Sequence, residues 1–132
     1  MNRVVHFEIQ ADEPQRAIEF YAKVFGWNIQ LWAGLDYDYW AVMTADKDSK
    51  EAGIHGGLLK RTAKAPEGDY GANSFVCTIQ VENFDDIAKK IAEAGGKVAT
   101  PKYALKGMAW QGYFVDTEGN TFGIHQPDLA AK

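Results

Sequence analysis

The chain carries one cysteine, Cys77, in 132 residues. No intrachain disulfide can form, and a reducing compartment is expected. Its apolar runs are all short, and none approaches the length of a membrane span. Lys and Arg number 14 against 18 Asp and Glu, and the net charge is -4. The basic residues are scattered, so the stripe typical of a nucleic-acid binder is missing. No Gly-x-Ser-x-Gly elbow offers a nucleophilic serine. No glycine-rich loop follows a strand and opens a helix, as a phosphate cradle would. Met1-Asn2-Arg3-Val4-Val5-His6 runs straight into a strand-like pattern without the apolar core of a secretory signal. The expectation is a cytoplasmic protein with neither nucleic acid nor membrane as partner.

Apolar residues make up 46% of the chain, enough for a real core. The size suits one compact domain or two small fused half-domains. The second half repeats the first at an offset of 70 residues. Ile9-Gln10 falls on Ile79-Gln80, Gly26 on Gly96, Trp40 on Trp110 and Asp46 on Asp116. Gly53-Ile54-His55 falls on Gly123-Ile124-His125. Two copies of so long a period are not a solenoid array. They are one supersecondary unit used twice, and the cleft between two such units is a natural ligand site.

Alternation and β-forming residues predict a strand over Val4 to Gln10. Asp12-Glu13-Pro14 supplies helix-start signals. Ala17, Ile18, Tyr21, Val24 and Phe25 recur at helical spacing, and Gly26 is a C-terminal cap. Strands follow over Asn28 to Trp32, Asp38 to Thr44 and Gly53 to Leu59, with a bend at Gly56-Gly57. The second half predicts a strand over Ser74 to Val81 and a helix over Asn83 to Ala94 that ends at Gly95-Gly96. Strands follow over Lys97 to Thr100, Ala109 to Val115 and Thr121 to Gln126, with a turn at Glu118-Gly119-Asn120. Each half reads β-α-β-β-β: a first module over residues 1–60, a linker over 61–73 and a second module over 74–127. Pro66, Gly68 and Gly71 mark the linker, whose Glu67 and Asp69 read as solvated. One helix cannot cover both faces of four strands. Two units side by side can share a concave face, and a homodimer is expected to help cover it.

With these residues the chain resembles the vicinal oxygen chelate superfamily, the group of glyoxalase I, extradiol dioxygenases, and bleomycin- and fosfomycin-resistance proteins. The matching stretches are His6, Arg16-Ala17-Ile18-Glu19-Phe20-Tyr21 and Phe25-Gly26-Trp27. In the second half they are Ala94-Gly95-Gly96-Lys97-Val98 and Asp116-Thr117-Glu118-Gly119-Asn120-Thr121-Phe122-Gly123. The resemblance covers nearly the whole chain. It implies an α+β fold of two tandem βαβββ modules forming an open, curved, barrel-like cavity of mixed sheet.

Metal-dependent members of that group place one ligand near the start of each module and one in its last strand, where the ion acts as a Lewis acid. By the resemblance, His6 occupies the first position. Val76, Gly53 and Gly123 occupy the other three, and none offers a ligating side chain. The usual four-ligand site is therefore expected to be missing. A rearranged site of His6, Glu8 and His125, with His55 from the other module, stays open, because residues two apart in a strand share a face. Imidazole and carboxylate would suit Zn, Ni, Fe or Mn.

Each of these residues also has a plainer reading. His6 is as readily a hydrogen-bonded remnant as a functional group. His55 reads better as a surface histidine, and for His125 the two readings balance. Cys77, if it alternates with cavity-facing Val76 and Thr78, is buried under the helix and inert. Two functions follow. In one, a glyoxalase-related enzyme of lyase or dioxygenase type acts on a small metabolite, with His6 and Glu8 as acid and base and His125 orienting the substrate. In the other, a metal-free protein binds or sequesters a small molecule by aromatic stacking. The candidate contact residues are Gln10, Tyr39, Trp40, Thr78, Trp110 and Tyr113.

Overall fold

The computed structural model describes residues 4, 6–65 and 75–132. The expected linker residues Pro66, Gly68 and Gly71, the acids Glu67 and Asp69, and the strand start at Ser74 lie outside the described residues. So do Met1, Asn2, Arg3 and Val5. The chain divides into two compact units, Met1–Ala65 and Pro66–Lys132.

The first unit runs β1 (Phe7–Ala11), α1 (Pro14–Phe25), β2 (Asn28–Leu31), β3 (Tyr39–Met43) and β4 (Gly56–Lys60). The second runs β5 (Thr78–Gln80), α2 (Phe84–Glu93), β6 (Lys97–Leu105), β7 (Ala109–Val115) and β8 (Thr121–Pro127). The expected β-α-β-β-β order is thus present in both. The strands lie in the orders β1-β4-β3-β2 and β5-β8-β7-β6, and neither four-stranded sheet closes on itself. The first strand of each unit pairs parallel with its last, and the other pairings are antiparallel.

Each helix forms where its signals predict. Pro14 opens α1, and Gly26 closes it in the left-handed region at φ 71, its N–H bonding the Ala22 carbonyl. Asn83 caps α2 by accepting from the Asp86 N–H, with Asp85 and Asp86 beside the positive end of the helix. Residues facing each other across paired strands share a face. In the first unit Ile9, Ala11, Val42 and Leu58 are buried toward α1, whose Ala17, Phe20, Tyr21 and Val24 are buried in turn. Trp27 stacks on Tyr21 at 5.2 Å and Phe25 at 5.3 Å and lies 5.9 Å from Phe7, tying the helix end to β1. In the second unit Phe114, Phe122 and Ile124 face α2, and the Gln126 side chain accepts from the Phe84 N–H at 2.7 Å.

The structure changes four expectations. Gly56 and Gly57 are the first residues of a buried β4, not a bend, and Gly53 precedes the strand. Arg61 belongs to the first unit rather than to a linker. Its N–H bonds the Ala11 carbonyl, and its guanidinium reaches the Gln10 carbonyl and Asp12. β6 continues past Thr100 through Pro101, which an edge strand tolerates because one side of its ladder is unpaired. Finally, the ungapped offset fails in the last strand. Glu8 stands opposite Gly57, and its repeat partner Thr78 stands opposite Gly123. The glycine equivalent to Gly123 is therefore Gly57 and not Gly53, a slip of four residues.

α2 sits close to its sheet because Gly112 has no side chain. A Cβ there would meet the Phe84 ring at 2.6 Å and the Thr100 carbonyl at 3.3 Å. Gly112→Ala should cost about 1–3 kcal/mol of stability through overpacking, and chemical denaturation measures it. A variant as stable as the wild type would contradict this packing.

Candidate functional site

A helix on one face leaves the other face of each sheet for polar and aromatic side chains. In the first unit Glu8, Gln10, Tyr39, Ala41, Met43, Gly57, Asn28 and Gln30 lie on the face away from α1. A cavity of about 350 Å³ opens there, lined by Asn28, Gln30, Leu31, Trp32, Ala33, Ala41 and Met43. Trp32 follows β2, and its N–H bonds the Tyr39 carbonyl at 2.7 Å, which continues the ladder by one residue. The exposed apolar side chains Leu31, Trp32, Leu35 and Tyr37 gather at this end of the sheet.

A polar cluster occupies the same face. The Tyr39 hydroxyl lies 2.8 Å from His6 Nε2, with Glu8 beside it in the residue pair Glu8–Gly57. It rests over Gly57, where a Cβ would collide with it. The Tyr39 phenol is raised from its ordinary 10.0, first by burial, then by the Glu8 charge, then by the Glu8 hydrogen bond. Three residues singled out in the sequence thus come together: His6, Glu8 and Tyr39.

The second unit carries a different cluster. Thr78, Gln80, Gln111, Tyr113, Gly123 and His125 lie on the face away from α2. His125 Nδ1 is 2.8 Å from Gln111 Oε1. A Cβ on Gly123 would meet Thr78 Oγ1 at 2.8 Å, Gln111 Nε2 at 3.0 Å and the Tyr113 ring at 3.1 Å. Burial, followed by the neighbouring Tyr113 hydroxyl, raises the Tyr103 phenol from 10.0. His125, Thr78 and Tyr113 therefore share a face.

Other candidates stand elsewhere. Trp40 pairs with Leu58 and Trp110 with Gln126, so both tryptophans lie on the helix-side faces. Trp110 donates to Asp128 at 2.9 Å and lies under the Lys102 ammonium at 4.8 Å, which is a structural role. His55 precedes β4, half-buried, and accepts from the Thr44 N–H at 3.1 Å. Cys77 is exposed rather than buried beneath the helix, because it lies one residue before β5. Local burial of the sulfur still raises its pKa from 9.0, which keeps the thiolate scarce at neutral pH.

Among the described residues no three His, Cys, Asp or Glu side chains gather as a metal ion would require. Of the expected ligand positions, Gly53 precedes β4 and Gly123 brings no side-chain donor. Gly57, which the strand pairing makes equivalent to Gly123, brings none either, and the space above both Gly57 and Gly123 is filled by hydrogen-bonding side chains. Sequence reasoning pointed to Met43 as a pocket-lining residue and missed Trp32, Asn28 and Gln30. The alternation Asn28, Gln30, Trp32 was the available signal, since it puts an amide, an amide and an indole on one face.

Burial and then the Glu8 carboxylate hold the Tyr39 proton in place, so the phenol contributes to stability below its ordinary pKa of 10.0 and that contribution is lost as pH rises through the raised value. Glu8→Gln should lower the Tyr39 ionisation toward the ordinary range. The tyrosinate absorbance difference between each protein and its Tyr39→Phe counterpart reads this directly. An unchanged ionisation would mean that Glu8 does not act on Tyr39.

No helix among the described residues is long and apolar enough to cross a membrane. No curated protein matches the chain. Solved structures do. TnmS3, an antibiotic binding protein from Streptomyces sp. CB03234, is 22% identical, with a TM-score of 0.68 over 97% of this chain and 98% of that one. The E126Q mutant of the fosfomycin resistance protein FosX from Listeria monocytogenes, complexed with Mn(II) and 1S,2S-dihydroxypropylphosphonic acid, is 12% identical, with a TM-score of 0.72 over 98% and 95%. A glyoxalase/bleomycin resistance protein/dioxygenase family enzyme from Burkholderia phytofirmans PsJN is 16% identical, with a TM-score of 0.70 over 93% and 97%. Identities this low speak for the fold alone. The family model described as Glyoxalase/Bleomycin resistance protein/Dioxygenase superfamily matches residues 3–124. With both βαβββ units in place, the chain belongs to the Glyoxalase/Bleomycin resistance protein/Dioxygenase superfamily.

Proposed function

We propose that this protein binds a small, largely apolar molecule on the face of its first module away from α1, without a metal ion. The observation that carries the reading is the cavity of about 350 Å³ between Trp32, Leu31, Met43 and the amides of Asn28 and Gln30. That volume is at the lower end of ordinary ligand pockets, roughly 300–1,000 Å³. Trp32 offers an exposed indole for stacking, and the two amides offer donors and acceptors that set orientation. None of the lining residues is charged. The likeness in fold to an antibiotic binding protein is in keeping with this reading.

A second reading rests on the cluster of His6, Glu8 and Tyr39 on the same face. There the bound molecule exchanges a proton with His6 or Glu8, which act as acid and base. Under it His6→Ala abolishes turnover while binding persists. A cytoplasmic homodimer belongs to the same proposal. Leu31, Trp32, Leu35 and Tyr37 leave apolar surface beside the edge strand β2 that a second copy could cover.

The test is a screen of antibiotics and aromatic metabolites by tryptophan fluorescence and thermal shift, followed by titration of any hit. Trp32→Ala should weaken binding at least tenfold, about 1.4 kcal/mol, and leave the melting temperature unchanged because the side chain is exposed. Dialysis against a chelator should leave the affinity as it was. Binding that survives Trp32→Ala, or that is lost with the chelator, would overturn the reading. Light scattering of the purified chain should give twice the 14.6 kDa of one chain, and a monomer would remove the homodimer.

A further inference from the structure

The Tyr39 hydroxyl has one proton and two neighbours. Glu8 stands opposite Gly57, over which the hydroxyl rests, and a carboxylate can only accept, so the proton is directed to Glu8. The phenol oxygen then has only lone pairs to offer His6 Nε2, which is 2.8 Å away. That contact is a hydrogen bond only if Nε2 carries its hydrogen. A neutral imidazole has a single N–H, so the other nitrogen, Nδ1, is left as an acceptor. His6 is exposed, and its Nδ1 has no partner among the described residues.

We infer that Tyr39 is a positioning residue: it holds neutral His6 as the Nε2–H tautomer, so that Nδ1 serves as hydrogen-bond acceptor for a hydroxyl or N–H group of a small-molecule ligand. A bare imidazole in water exchanges between two tautomers. Here the choice is made two steps away, by the charge on Glu8, and passed through one phenol. The glycine at 57 is part of the device. Tyr39 reaches this place across the strand only because no Cβ stands beneath its hydroxyl. The neighbouring groups on the face fit the same ligand chemistry, since Glu8 accepts only and the Gln10 side chain has an acceptor oxygen. The Nε2 nitrogen engaged with Tyr39 is closed to a metal ion unless Tyr39 moves.

The tautomer assignment concerns the protein alone. The choice of ligand class rests on the proposed use of this face. The two are tested separately. Long-range proton–nitrogen correlation spectra of the nitrogen-15-labelled full chain, at a pH where imidazoles are neutral, report the tautomer of each histidine, and His6→Gln assigns the His6 signals. The wild type should give the Nε2–H pattern for His6. Tyr39→Phe removes the hydroxyl and Gly57→Ala displaces it, so both should give averaged nitrogen shifts for His6. Both should leave His125, held by Gln111, unchanged. An Nδ1–H pattern in the wild type, or identical His6 spectra in all three proteins, would overturn the inference. For the ligand class the probes are phenol and anisole, which differ in the donor. Phenol should shift the His6 Nδ1 signal and anisole should not, and the phenol effect should fall in Tyr39→Phe. Equal shifts with both probes would overturn the donor-ligand half while leaving the tautomer result standing.

Discussion

Each unit has one helix for four strands, and most of what the molecule can do follows from that shortage. A 12-residue α1 and a 10-residue α2 each bury a single face of their sheet. The apolar residues of β1, β3 and β4 turn toward α1: Ile9, Ala11, Val42 and Leu58. Period-two alternation then delivers the remaining residues to the other face, and they are the chemically interesting ones. Glu8, Gln10, Tyr39 and Met43 stand there in the first unit, and Thr78, Gln111, Tyr113 and His125 in the second.

Glycine decides how close those side chains come to the backbone. Gly57 and Gly123 hold equivalent positions in the last strand of each unit, opposite Glu8 and Thr78. At Gly57 the missing Cβ admits the Tyr39 hydroxyl. At Gly123 it admits the Thr78 hydroxyl, the Gln111 amide and the Tyr113 ring. At both glycines the missing side chain lets neighbouring hydrogen-bonding groups come inward.

The three histidines illustrate how differently such groups are used. His6 meets a phenol that is bonded in turn to a carboxylate. His125 meets the neutral amide of Gln111, and His55 accepts from the backbone of Thr44. A carboxylate-backed phenol imposes a definite proton arrangement on its imidazole. An amide can present either its oxygen or its NH₂ group. The first unit therefore holds the more strongly specified cluster.

Much of the fold was legible in the sequence because its signals are local. Pro14 and Gly26 bracket α1, Asn83 starts α2, and the apolar periodicities of three to four and of two residues separate helix from strand. Strand parity likewise put His6, Glu8 and Gln10 on one face. Register was not legible, because it depends on which residues lie opposite one another across a strand pair. The ungapped repeat matched Gly53 to Gly123, and only the pairings of Glu8 with Gly57 and Thr78 with Gly123 revealed the slip. The same dependence turned Trp40 and Trp110 toward the helices and opened a cavity at Trp32 and Met43. Composition and periodicity by themselves determined two βαβββ units, their helix ends and the polar character of one face of each sheet. Which side chains on those faces touch was decided by the tertiary structure, since a hydrogen bond of 2.8 Å between His6 and Tyr39 joins residues 33 apart in the chain.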